Sequence, residues 1–220
     1  DGYLSSARGK TTHPAIFFDT KGRSYSLPTH ALASARGHGE PLTGKLLLYN
    51  GAKFLSVIMG LPDQKVLLAS DAGYGFVTNI ANMVTKNTKG KGMLSIPKAC
   101  DPLPPVYVNN YDTDYLAAIT TEGRMLVIPV NVLPELPKGK GNKIIQIPPA
   151  RFKKREEYVR LLEIIPEGAT IKIHAGKQSV RFTPANITTY VGERGRRGKK
   201  LPRGYRKADR IEIIPAEEDR

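Results

Sequence analysis

Four short strings set cations beside glycines: Arg36-Gly37-His38-Gly39, Lys89-Gly90-Lys91-Gly92, Lys138-Gly139-Lys140-Gly141 and Arg194-Gly195-Arg196-Arg197-Gly198. Glycine lets a backbone come close to a phosphate, and an adjacent Lys or Arg supplies opposite charge and side-chain donors. Such loops hold a polyanion without reading its sequence, and the binding they give weakens as salt rises. His38 replaces a basic residue in the first loop, and phosphate contact is the role its position offers. One such string alone reads as a solvated turn. Four at equivalent places read as a shared surface. Together with Lys45, Lys86, Lys143, Lys199, Lys200 and Arg203 nearby, the cations of these loops form the candidate nucleic-acid-binding set.

Other residues that could do chemistry lack the company it requires. Gly9-Lys10-Thr11 matches the end of a phosphate-binding loop, but the glycine that should open the loop falls at Leu4. Asp112-Thr113-Asp114 could suggest a magnesium pair, yet it lies in a polar tract, residues 109–114, that reads as a turn before a strand. His13, His30, His38 and His174 have no metal-ligand spacing, and no nucleophile motif accompanies them. Cys100 is the only cysteine, which excludes an internal disulfide. With Pro102, Pro104 and Pro105 beside it and only Lys98 as a nearby cation, it reads as a passive loop thiol. No catalytic residue, metal or cofactor is expected in this chain.

The elements that position the loops recur at a fixed interval. Each unit opens on an apolar strand: Ala15-Ile16-Phe17-Phe18, Val66-Leu67-Leu68-Ala69, Leu116-Ala117-Ala118-Ile119 and Ile171-Lys172-Ile173. A tight turn follows, ending in Gly22, Gly73, Gly123 and Gly176, which are spaced by 51, 50 and 53 residues. A second strand then covers 23–27, 74–78, 124–128 and 177–182, the glycine loop comes next, and two further strands are expected, for example 46–49 with 54–59 and 144–147 with 158–165. Four short strands per repeat of about fifty residues make a propeller blade-sized unit, so the expected fold is all-β. The repeats cover about 14–60, 65–108, 115–165 and 170–215, within a single domain over 1–220. Residues 1–10 read as the end of a truncated preceding blade, and the absence of an initial Met suggests an excised fragment. Proline-rich stretches at 97–105 and 134–137 read as connections between blades.

Composition agrees with a folded polyanion binder. Hydrophobic residues make up 40% of the chain and charged residues 25%, an ordinary globular balance, but the net charge of +14 is far from ordinary. Between residues 170 and 210 twelve basic residues face only Glu193 and Asp209, which makes the fourth repeat the strongest electrostatic footprint. No run of 18 apolar residues, signal peptide or basic amphipathic helix points to a membrane, and the expected location is cytoplasmic.

The whole chain resembles the C-terminal β-pinwheel of bacterial type IIA topoisomerase A subunits. The strings that carry the resemblance are Phe18-Asp19-Thr20-Lys21-Gly22-Arg23, Ala69-Ser70-Asp71-Ala72-Gly73-Tyr74-Gly75-Phe76, Lys138-Gly139-Lys140-Gly141-Asn142-Lys143-Ile144-Ile145 and Gly192-Glu193-Arg194-Gly195-Arg196-Arg197-Gly198, and they look more like topoisomerase IV than gyrase. The resemblance implies a propeller-like β-pinwheel of four-stranded blades that exchange strands, with a basic edge carrying DNA. It implies a non-catalytic domain that binds and bends duplex DNA and helps select DNA geometry for relaxation and decatenation. The Gln-Arg-Arg-Gly-Gly-Lys-Gly box of gyrase is absent, so bending rather than full wrapping is expected. Implied partners are duplex DNA, the remainder of the topoisomerase polypeptide, its ATPase partner and a condensin-like SMC protein, in a nucleoid setting. ATP and Mg are expected only for the whole enzyme, whose cleavage residues belong to other regions. The alternative reading is a propeller-like platform for protein interaction.

Overall fold

Consecutive apolar residues in the opening strands, rather than alternating ones, are the pattern of sheets covered on both faces. The structure, a computed structural model describing residues 2–216, has that arrangement. The first repeat contributes β1 (Pro14–Asp19), β2 (Arg23–Pro28) and β3 (Phe54–Ile58). The second contributes β4 (Lys65–Ser70), β5 (Tyr74–Asn79), β6 (Lys91–Gly92) and β7 (Val106–Val108). The third contributes β8 (Tyr115–Thr120), β9 (Arg124–Pro129), β10 (Asn142–Lys143) and β11 (Val159–Ile165), and the fourth β12 (Thr170–Ala175), β13 (Gln178–Phe182), β14 (Lys199–Lys200) and β15 (Arg210–Ile214). Gly22, Gly73, Gly123 and Gly176 all take positive φ, between 61° and 86°, as the hairpin turns require.

The sheets run in the orders β3-β1-β2-β6, β10-β5-β4-β7, β11-β8-β9-β14 and β13-β12-β15. Each of the first three is completed by a two-residue strand from the next repeat. The glycine-loop strand pairs with the start of the preceding second strand, in the registers Arg23↔Gly92, Tyr74↔Lys143 and Arg124↔Lys200. Beyond that strand the chain forms an arm that bonds to the preceding turn glycine. Met93 and Leu94 donate to the Gly22 carbonyl at 3.0 and 2.9 Å, Ile144 to that of Gly73 at 2.6 Å, and Leu201 to that of Gly123 at 2.8 Å. All four arm side chains are buried.

This exchange corrects several sequence expectations. Residues 144–147 are not a strand, because the chain leaves β10 and inserts Ile144 and Ile145 into the core between the second and third sheets. Residues 46–49 are not a strand either: Leu46 is buried against the first sheet, while Leu47 and Tyr49 are each 54% exposed. Residues 2–10 form no strand, and touch the first sheet through the Val57 amide, which donates to the Ser5 hydroxyl at 3.3 Å. Residue 1 lies outside the described residues. Among the described residues the fourth sheet has three strands.

Side chains alternate between the two faces of each strand, so neighbouring sheets share a core. Ile16 and Phe18 meet Val66, Leu68 and Phe76; Leu67, Ala69 and Val77 meet Leu116, Ala118, Leu126 and Ile128; Ala117, Ile119, Met125 and Val127 meet Ile171, Ile173 and Phe182. At roughly 1.5–3 kcal/mol for each fully buried aliphatic side chain, these shared cores dominate cohesion between repeats. Among the described residues neither a core cluster nor a hydrogen bond joins the first sheet to the fourth. The fourth sheet does alternate: Ile171 and Ile173 face the third, whereas Lys172 and His174 lie on the other side with Glu212.

Candidate nucleic-acid interface

The strand exchange brings the glycine loops of successive repeats together. Ser95 donates to the Gly139 carbonyl and Gly139 to that of Met93, both at 2.9 Å; Gly195 donates to Ile144 O at 2.8 Å and Gln146 to Arg196 O at 2.9 Å. The loops of the second, third and fourth repeats thus form a continuous edge fixed by backbone bonds. The first-repeat loop stands apart: Arg36, Gly37, His38 and Gly39 are exposed and lie in no strand, and this repeat reaches the second-repeat loop through the Leu47 amide on Thr88 O at 2.9 Å.

Two arginines that sequence reasoning passed over hold the edge in place. Arg23 donates to the carbonyls of Lys89 and Gly90 at 3.0 and 2.9 Å, and Arg124 to that of Gly198 at 3.2 Å. Both follow a turn glycine, and their recurrence at that offset was the available signal. Tyr74 stands at the equivalent place in the second repeat and carries the Lys140 ammonium 4.0 Å from its ring centroid, a cation–π contact.

Side-chain partners sort the cations of the candidate set. Arg36, Lys86, Lys89, Lys138, Lys200 and Arg203 are exposed, and among the described residues their charged ends meet no side-chain partner. Arg194 is exposed and donates to the Lys143 carbonyl at 2.9 Å, while Lys143 itself is half-buried beside it. Arg196 makes an ion pair with Glu193 at 2.9 Å in which both side chains are over 70% exposed, an arrangement worth about 0–1 kcal/mol that a phosphate can replace. Four others carry contacts of their own, and only that of Arg197 is with a buried carboxylate. Lys45 pairs with Glu40 at 3.1 Å, Lys91 donates to Asn82 O at 2.6 Å, Lys199 donates to Thr189 O at 2.8 Å, and Arg197 pairs with Glu157 at 2.6 Å. The Glu157 side chain is 0% exposed.

The residues set aside as catalytic are occupied structurally. Asp114 is buried and accepts from the amides of Asn109 and Asn110 at 3.1 and 2.9 Å, so it organises the turn. Among the described residues no group of three His, Cys, Asp or Glu side chains could hold a metal. Asp19 is buried too, and takes the amides of Lys21 and Arg23 at 2.8 and 2.9 Å and the Tyr25 hydroxyl at 2.8 Å. Burial, reinforced by the Asp19 carboxylate, holds the Tyr25 phenol above its usual range. Burial and then Asp71 raise the Cys100 thiol, the opposite of what an activated nucleophile needs. No helix among the described residues is long and apolar enough to cross a membrane.

The solved structure of the Escherichia coli ParC C-terminal domain superposes with a TM-score of 0.87 at 46% identity, covering 94% of this chain and 84% of that one. The chain belongs to the family of C-terminal domains found in the A subunits of topoisomerase IV. The DNA topoisomerase 4 A subunit from Pseudomonas aeruginosa is 47% identical over 99% of the chain, and that from E. coli K12 is 45% identical over 97%. The chain spans 29% and 28% of these two relatives' lengths. A family model described as the DNA gyrase C-terminal domain, beta-propeller, matches residues 64–96 and 114–164. A solved gyrase A C-terminal domain is similar at a TM-score of 0.70 with 13% identity, which concerns the fold alone. The all-β, propeller-like fold expected from the repeat, and the β-pinwheel implied by the resemblance, are therefore the family's own.

Proposed function

We propose that this chain binds duplex DNA along the edge formed by its second, third and fourth glycine loops and bends it without cleaving it. The observation that carries this reading is the continuity of the edge: backbone bonds link the three loops, and Lys86, Lys89, Lys138, Lys140, Arg194, Lys200 and Arg203 stand along them. Glycine loops with mobile cations contact phosphates and sugars rather than base edges, so the binding has little sequence preference. Within a whole topoisomerase the domain helps select DNA geometry for relaxation and decatenation in the nucleoid. Nucleotide and metal chemistry then belong to the rest of the enzyme and its ATPase partner. Fluorescence anisotropy of a labelled duplex tests the reading. Affinity falls steeply with salt in the wild type, and replacing Lys89, Lys138 and Arg194 by Ala flattens the log–log slope by about 0.9 per lost contact. A flat salt response, or strong preference for one sequence, rejects it.

A further inference from the structure

Glu157 is a fully buried carboxylate that the DNA-binding edge does not use, and it lies against one of the arginines of that edge. Arg197 Nη2 is 2.6 Å from Glu157 Oε1, and Arg197 Nη1 reaches the Gln146 carbonyl at 3.4 Å. Arg151, in the one-turn helix Pro149–Lys153, approaches the same Oε1 with its Nε at 3.5 Å, a longer contact than that of Arg197; Arg151 also pairs with Glu122 at 2.7 Å. A few residues on, Arg155 holds the buried Asp71 with two bonds of 3.1 and 2.6 Å. The connection over residues 149–157 thus ties together the turns of the second and third repeats and the glycine loop of the fourth.

We propose that Glu157 withholds Arg197 from DNA, making Arg197 a positioning residue that locks the fourth glycine loop to this connection. The proposal rests on the DNA-binding reading and deepens it. The physical reason is a competition for one guanidinium. Pulling Arg197 away leaves a carboxylate in the interior short of a partner, a heavily penalised state, whereas a phosphate at the exposed edge offers only a contact that salt screens. Arg194 and Arg196 in the same loop carry no such obligation, since their partners are a backbone carbonyl and an exposed carboxylate.

The test compares the wild type with Arg194→Ala, Arg197→Ala, Glu157→Gln and the Glu157→Gln, Arg197→Ala double variant. Two readouts are taken: the salt slope of duplex binding by fluorescence anisotropy, and the melting temperature without DNA. Arg194→Ala flattens the slope by about 0.9, as one phosphate contact should. Arg197→Ala lowers the melting temperature and keeps the wild-type slope. Glu157→Gln preserves shape but removes the buried charge, leaving a weaker neutral contact that a phosphate can outcompete, so it steepens the slope by up to about 0.9, and the double variant returns it to the wild-type value. In the melting-temperature cycle the double variant loses less than the sum of the two single losses. The proposal is overturned if Arg197→Ala flattens the slope as much as Arg194→Ala, if Glu157→Gln leaves it unchanged, or if the melting losses add. The melting cycle reads the lock without DNA. Coupled melting losses in a protein with no affinity for duplex therefore reject the DNA-binding reading and the withholding role with it, whereas additive losses in a DNA-binding protein reject the lock alone.

Discussion

Replacing the turn glycines by alanine measures what the exchanged arms contribute. Gly22 and Gly176 occupy the same turn position with φ of 80° and 61°, so alanine meets the same left-handed backbone penalty at each, about 1–2 kcal/mol. The surroundings differ. A Cβ at Gly176 meets nothing, whereas at Gly22 it would overlap the Leu94 carbonyl oxygen. Accommodating it displaces the arm, weakening the bonds from Met93 and Leu94 to Gly22 O at about 1 kcal/mol each and exposing at least one arm side chain at roughly 1.5–3 kcal/mol. Gly22→Ala should therefore cost about 3–5 kcal/mol more than Gly176→Ala. Gly123 and Gly73, where the nearest atoms would lie at 2.5 and 2.8 Å, should fall between them. Urea unfolding followed by circular dichroism gives the energies, and hydrogen exchange at residues 91–96 shows whether the arm has loosened. If Gly22→Ala and Gly176→Ala agree within about 1 kcal/mol, the arms do not hold the sheets together.

Two further outcomes follow from the buried polar groups. The raised Tyr25 phenol favours the protonated folded state, so its contribution is complete below the ordinary tyrosine value near 10 and is lost as pH rises beyond it. Tyr25→Phe should cost about 1–3 kcal/mol at neutral pH, by leaving Asp19 short of a donor, and should reduce the alkaline loss of stability; an unchanged alkaline unfolding curve would contradict this. Cys100 should be alkylated more slowly at about pH 8 than a free cysteine, with its rate still climbing above pH 9.0. Thiolate formation half complete below that value would exclude the raised pKa.

The hairpins and turn glycines were legible because a positive φ leaves a residue-type signature at a fixed interval. The exchange strands were not, since Lys91–Gly92 or Lys199–Lys200 is too short to show a pattern and its pairing partner lies in the preceding repeat. Ile144 and Ile145 read as strand because a buried arm and a buried strand have the same composition. At the site, the string Arg194-Gly195-Arg196-Arg197 gave no way to separate neighbouring arginines. What distinguishes Arg197 is Glu157, forty residues earlier in the chain and adjacent only after folding.

The exchanged arms also bear on synthesis. A ribosome releases β1, β2 and β3 well before β6, and β8, β9 and β11 well before β14, so each of the first three sheets emerges with one edge unpaired. At about 5–20 residues per second that edge waits several seconds for its closing strand. During that interval it is a template for the wrong neighbour, including the same segment on an adjacent nascent chain. Assembly is therefore vectorial: each repeat finishes the one before it, and a stall within a glycine loop strands the sheet already made.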